Sequence, residues 1–262
     1  MQRKPSITGA VLHQVEVLGS SLASTLYLWR GTGVLRQATQ PKQPLELYDI
    51  ESDADCRAVR EALTALGLDA VIYPCPQGGT RHARQLKRLG GKPQLPLLRD
   101  CAHGTVLRGA GPVLEHLFHT YGKGPVPPAF GVGTATRLAG AIGTTLRASR
   151  GVRARASRQP RQMLELWSFE SSPYSRLVRE RLCELELAYS LHNLGKEQFA
   201  DMGPAVLRVR PGPYRPKPGG KRSKMLRQVG RVQLPYLQDP NTGAKLFESA
   251  AICDYLEAQY AL

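Results

Sequence analysis

The sequence predicts an α/β protein built from two similar units, each a small mixed sheet flanked by helices, and two observations carry that prediction. The first is an internal repeat. LELYDIESDADCRAVREAL from Leu45 aligns with LELWSFESSPYSRLVRERL from Leu164 at a constant offset of 119. QLPLLRDCAHGTVLRGAGPVLEHLFHTY from Gln94 aligns with QLPYLQDPNTGAKLFESAAICDYLEAQY from Gln233 at an offset of 139, so the second copy has gained 20 residues between the blocks. Self-similarity of this kind marks a duplicated structural unit. The second observation is that hydrophobic periodicity switches from two to 3.6 and back within each copy, as in units that lay helices on a sheet.

The elements follow in order. Leu45 to Ile50 and Leu164 to Phe169 alternate apolar and polar residues, the pattern of a strand. After a turn, Val59, Leu63 and Leu66 recur at helical spacing, as do Val178, Leu182 and Leu185, and Gly67 is placed to end the first of these helices. Short apolar runs at Leu68 to Tyr73 and Leu187 to Leu191 read as further strands. A helical or irregular stretch, a Leu-Pro strand, a hairpin turn at Gly104 or Gly243 and a last helix complete each unit. The expected organisation is an extension over 1–44, a first unit over 45–122, a basic linker over 123–162, and a second unit over 163–262 carrying a basic insertion over 205–228.

Composition narrows the function. The chain has 262 residues, 36 Lys+Arg against 21 Asp+Glu, and a net charge of +15. Such an excess points to an anionic partner. No run approaches the 18 apolar residues of a membrane-spanning helix. The charge is concentrated: residues 116–164 hold eight Lys+Arg and residues 202–238 hold nine, both without an acid, and the remainder is nearly balanced. The insertion, rich in Pro, Gly and base, is expected to be a loop that does not pack. Arg150, Arg153, Arg155, Arg158, Arg208, Arg210 and Arg222 are the candidate contacts to RNA phosphate or an acidic protein. The weakly apolar stretches Val11 to Leu28 and Phe130 to Leu146, which echo one another, suit amphipathic helices lying on a membrane surface or packing between the units. On its own the first could also serve as an organelle transit peptide.

Five cysteines, at 56, 75, 101, 183 and 253, form no C-x-x-C pair, which fits a reducing compartment and neither a disulfide framework nor a zinc site. Cys183 and Cys253 fall in helical segments and read as small buried hydrophobes. Cys75, between two prolines in a glycine-rich loop, reads as an exposed thiol, and Cys56 and Cys75 are the candidate redox thiols. His82, His103, His116 and His119 show no metal-ligand spacing, so no metal is expected.

ESSPYSRLVRERL, VQLPYL and FESAAICDYL in the second copy, with ESDADCRAVREAL and QLPLL in the first, resemble thioredoxin-fold proteins of the glutaredoxin and glutathione S-transferase N-terminal type. The tandem arrangement and the YPCPQGGTRH stretch are similar to plastid and cyanobacterial tandem proteins, and a plastid location rests on that resemblance. Glutaredoxins place a nucleophilic cysteine at the amino end of the first helix, where the helix dipole favours a thiolate. Here Asp53-Ala54-Asp55-Cys56 and Ser172-Pro173-Tyr174-Ser175 occupy that stretch. The nucleophile is missing from both, and Asp53 and Asp55 would raise the pKa of Cys56. Dithiol chemistry is not expected.

The resemblance implies glutathione as ligand or cosubstrate in the second unit. Ser172 corresponds to the hydroxyl of serine-type transferases that hydrogen-bonds the glutathione sulfur, with Tyr174 beside it. As a residue it reads equally as a helix N-cap, as does Asp53. Pro235 and Pro96 match the fold's cis-proline, whose preceding residue, here Leu234, pairs with the ligand backbone in the family. Glu248 and Ser249 match the acid-serine pair that holds the γ-glutamyl group at a helix N-terminus; their plain alternative is a helix cap. The first unit has Gly109-Ala110 there, so binding is expected in the second unit only. Transferases add an all-helical domain after this one, whereas only Ala261 and Leu262 follow Tyr260, so conventional xenobiotic conjugation is not expected. The function implied is glutathione binding without a dithiol, with weak serine-type transfer from Ser172. The alternative is a non-catalytic scaffold contacting RNA or an acidic plastid complex through its basic segments.

Overall fold

The computed structural model describes residues 14, 17–20, 29–89, 94–131, 133, 150–203 and 213–262, and each copy folds in the predicted order. The first unit runs β1 (Leu45–Asp49), α1 (Ala54–Leu66), β2 (Ala70–Pro74), α2 (Ala83–Arg88), β3 (Leu97–Asp100), β4 (Thr105–Arg108) and α3 (Ala110–His116), which continues as a π-helical turn over Leu117–Tyr121. The second runs β5 (Leu164–Ser168), α4 (Pro173–Glu184), β6 (Tyr189–Asn193), α5 (Lys221–Val229), β7 (Tyr236–Asp239), β8 (Ala244–Phe247) and α6 (Ser249–Tyr260).

Local chemistry explains the boundaries. The Asp53 carboxylate accepts a hydrogen bond from Cys56 N at 2.7 Å and starts α1. Gly67 ends that helix at φ 62, a left-handed conformation in which its N–H reaches back to Leu63 and Thr64 carbonyls. Val59, Leu63 and Leu66 are fully buried, as are Val178 and Leu182 on α4 and Leu185 at its end. Each such side chain contributes about 1.5–3 kcal/mol when removed from water.

The two units do not have separate sheets. Strands β2 and β6 pair antiparallel, with Val71 opposite Ser190, and give one eight-stranded sheet in the order β4-β3-β1-β2-β6-β5-β7-β8. One core runs through both halves, from Leu98 and Leu114 to Leu237 and Leu256.

Between α1 and α4 lies a buried ion cluster that obeys the repeat. Arg60 bonds Glu170 at 3.0 Å and also pairs with Asp49, while Arg179, its repeat equivalent, bonds Glu51 at 3.0–3.1 Å and the Ser168 hydroxyl at 3.0 Å. Each arginine also donates to the backbone carbonyl of its own unit's glutamate, Glu51 or Glu170. Arg60 and Arg179 are both 1% exposed. Guanidinium suits this position because its planar fork serves several acceptors at once.

The segment before each unit forms a strap that bonds its own unit, as Ala38 N does to Leu66 O and Arg155 N to Glu184 O, and also reaches the other. Residues ahead of the first unit pair with the second: Val34 N donates to Lys196 O, and Lys196 N to Thr32 O, both at 2.8 Å. Residues ahead of the second unit pair with the first, through Gln77 N to Val152 O at 2.7 Å and Ala154 N to Gln77 O at 2.9 Å. Gln77 and Lys196 are themselves repeat equivalents. Arg155 in the second strap lies on Glu257 with two hydrogen bonds, and Arg158 N bonds Tyr260 O, so 150–158 is held against the domain body.

The insertion departs from expectation. Residues 221–229 form a packed helix, with Met225 1% and Arg222 4% exposed, because Met225 fills a cluster with Leu194, Val232 and Tyr236. Arg208 and Arg210 lie outside the described residues, as do most of Val11 to Leu28 and of Phe130 to Leu146. Among the described residues no helix is long and apolar enough to cross a membrane.

Candidate functional site

The six residues singled out in the second unit come from three separate segments, and the fold brings all of them to one cavity. Ser172 and Tyr174 at the head of α4, Leu234 and Pro235 before β7, and Glu248 and Ser249 at the head of α6 line a space of about 710 Å³. That is within the usual range for small-molecule sites.

Each position has a local cause. Ser172 caps α4, its hydroxyl oxygen accepting from Ser175 N at 3.2 Å, and Pro173 occupies the first helical position. The cap uses an oxygen lone pair and leaves the O–H hydrogen to donate. The positive end of the twelve-residue α4 helix lies at the same place and favours an anion there. Both the Leu95–Pro96 and Leu234–Pro235 bonds are cis, as the resemblance implies. Glu248 precedes α6 at φ 68, a conformation unfavourable for a side-chain-bearing residue, and accepts a hydrogen bond from the Gln233 amide. Gly109 holds the equivalent backbone position in the first unit at φ 75 without strain.

Other walls of the cavity escaped the sequence reading. Gln14, Val17, Trp29 and Thr32 of the extension, Phe169 after β5, and Lys196 and Met202 beyond β6 all line it. The reach of the first strap to the second unit brings Trp29 and Thr32 here, and no periodicity or motif marks that. Arg222 also borders the cavity, but its guanidinium donates to the Leu194 and Gly195 carbonyls at 2.8 and 3.0 Å and faces Asp201 at 3.8 Å. It is thus a packing residue rather than the exposed phosphate contact expected of it. Of the other basic candidates, Arg153 and Arg158 are exposed, and Arg155 is committed to Glu257.

Neither candidate thiol stands where redox chemistry needs it. Cys56 is completely buried, and burial, with Asp53 and Asp49 adding to it, pushes its thiol well above the ordinary value. Cys75 is half-buried rather than exposed, because its loop folds back so that the residue packs beside Tyr48, Leu86 and Leu97. Its Sγ donates to Tyr73 O at 3.3 Å, and burial raises its pKa too. Both are held as thiols, the unreactive form.

The histidines are the other surprise. His103 Nδ1 and His116 Nε2 approach one oxygen of Asp100 at 2.9 and 2.8 Å, although no sequence spacing announces a cluster.

A sheet with β1 parallel to β2 and antiparallel to β3, a cis-proline before β3, and helices on its faces defines a thioredoxin-fold unit, and the chain contains two. The family model of the glutathione S-transferase N-terminal domain matches residues 47–126 and again residues 166–262. The chain belongs to that family and is a glutathione-related thioredoxin-fold protein. The search of curated proteins and the search of solved structures each returned no match.

Proposed function

We propose that the second unit binds glutathione in the 710 Å³ cavity and that the protein works without a dithiol, Ser172 assisting a slow transfer of the glutathione sulfur to an apolar electrophile. The observation that carries this reading is the convergence of Ser172, Tyr174, Leu234, Pro235, Glu248 and Ser249, three separated segments, on that single cavity. In this arrangement the Ser172 O–H donates to the sulfur while the head of α4 lowers the cost of the thiolate. Leu234 pairs with the cysteinyl backbone. Glu248 receives the γ-glutamyl ammonium, and the N–H groups at the head of α6 receive its carboxylate. Lys196 supplies a cation for the remaining carboxylate. Val17, Trp29 and Met202 form an apolar wall beyond these groups, where an apolar electrophile would lie.

The test is calorimetric titration of glutathione into the full chain and into the Ser172→Ala/Glu248→Gln variant. Saturable binding by the wild type, lost in the variant, is expected. Absence of heat at millimolar glutathione, or equal binding by both proteins, would sink the reading.

A further inference from the structure

The Asp100 cluster has an internal control in the second unit. Asp239, the repeat equivalent of Asp100, accepts hydrogen bonds on one oxygen from Tyr255 at 2.6 Å and from Tyr260, and Thr242 bonds Tyr255 at 2.6 Å. There a carboxylate and three hydroxyls tie the β7–β8 hairpin to the end of α6. In the first unit Tyr121 keeps the role of Tyr260, its hydroxyl 2.7 Å from Asp100. The equivalents of Thr242 and Tyr255, however, are His103 and His116. Hydroxyls suffice for the structural task, so two imidazoles converging on one carboxylate exceed what the fold demands.

From this contrast we infer that Asp100, His103 and His116 form a binding site for a divalent ion of the Zn²⁺ class. The three ligand atoms lie within 4.8 Å of one another. A tetrahedral ion with bonds of about 2.0–2.1 Å needs ligand atoms roughly 3.3 Å apart, so small shifts admit it. Two imidazoles and a carboxylate are a donor set suited to zinc, with a fourth position left for water or for the Tyr121 oxygen. The supporting shell is present: His116 Nδ1 lies 3.3 Å from the Thr120 hydroxyl, and the second Asp100 oxygen accepts from the N–H groups of Ala102 and His103 at 3.0 and 3.3 Å. The Asp100 side chain is fully buried, whereas that of His103 is 48% exposed, which provides both a rigid anchor and an entry path. The helix also differs locally. Residues 117–121 widen into a π-helical turn, an irregularity frequent at functional sites, while the equivalent stretch of α6 stays regular.

The experiment measures Zn²⁺ bound to the full chain by competition with a chromophoric chelator, and the absorption of the Co²⁺ form. Wild type is expected to bind one ion at micromolar concentration, to show Co²⁺ d–d bands without a thiolate charge-transfer band, and to rise in Tm with Zn²⁺. His103→Thr/His116→Tyr, which imports the side chains of the second unit, is expected to fold, to keep glutathione binding and to lose all three signals. Should that variant misfold, His103→Thr, at a half-exposed site, is expected to weaken Zn²⁺ binding at least tenfold. No binding by wild type, undiminished binding by the variants, or a thiolate band dominating the Co²⁺ spectrum would overturn the inference.

Discussion

At the head of the first helix in each half, Asp53 and Ser172 do the same work, accepting the N–H of the residue three positions on. At the head of the last helix the halves part: Gly109 takes a left-handed φ freely, and Glu248 takes nearly the same φ at a cost. Beside the hairpin the divergence runs the other way, with histidines in the first half and hydroxyl side chains in the second. The pairs that join the halves, Glu51 with Glu170 and Arg60 with Arg179, are identical. Duplication has therefore kept the buried ion cluster that ties the two halves together and varied the groups beside the last helix and the hairpin, in a different place in each half.

The largest effect tests the shared part. Arg60→Met takes the arginine from buried Asp49 and should cost about 3–5 kcal/mol in denaturant unfolding, whereas Arg179→Met leaves Arg60 beside both Glu51 and Glu170 and should cost less. Equal losses would show that Asp49, which has only the Ser168 hydroxyl as its counterpart, adds nothing to the first half. The same cluster sets a pH response. Burial alone would raise the pKa of Glu170, but Arg179 and Arg60 outweigh it and hold the group at about 2. A carboxyl depressed below its unfolded value stabilises fully above that value and loses its contribution as pH falls through the folded value, while Asp49, which burial raises to about 6, opposes part of that loss. Acid titration of Tm should show this loss in the wild type, and Glu170→Gln should show a flatter curve.

Smaller effects test the divergent part. Ser172→Ala and Asp53→Ala should each cost about 1 kcal/mol as lost caps, yet only Ser172→Ala should weaken glutathione binding. Equal ligand effects would remove the distinction between the halves. Glu248→Gly should raise stability by about 1 kcal/mol, relief of backbone strain exceeding the entropic cost of glycine, while glutathione binding falls. A loss of stability in that variant would show that Glu248 is kept for packing.

Much of the fold was legible because its signals are local. Asp53, Ser172 and Gly67 bound their helices through contacts within a few residues, and Val59 and Leu63 fall on the helix face that the sheet then buries. The six cavity residues were legible only by resemblance, since nothing in the spacing of Ser172, Leu234 and Glu248 says that they meet. The ion cluster was visible in principle, because Arg60 recurs unchanged at Arg179 within the first helix of each unit and Glu51 at Glu170 in the turn before it. Arg222 and Cys75 depart from the sequence expectation for a common reason: a segment rich in Pro, Gly or charge looks solvated until its neighbours supply carbonyls and apolar walls.

The sequence by itself determined the duplication, the order of elements in each unit, the helix caps and the absence of an attacking cysteine, all properties of residues near one another in the chain or of matched blocks. Only the tertiary structure decided that β2 meets β6, that the straps cross to opposite units, that Trp29 walls the cavity of the second unit, and that His103 and His116 converge on Asp100. Those outcomes depend on which edges and faces find partners across more than a hundred residues or around a turn, and such pairings leave no period in the chain.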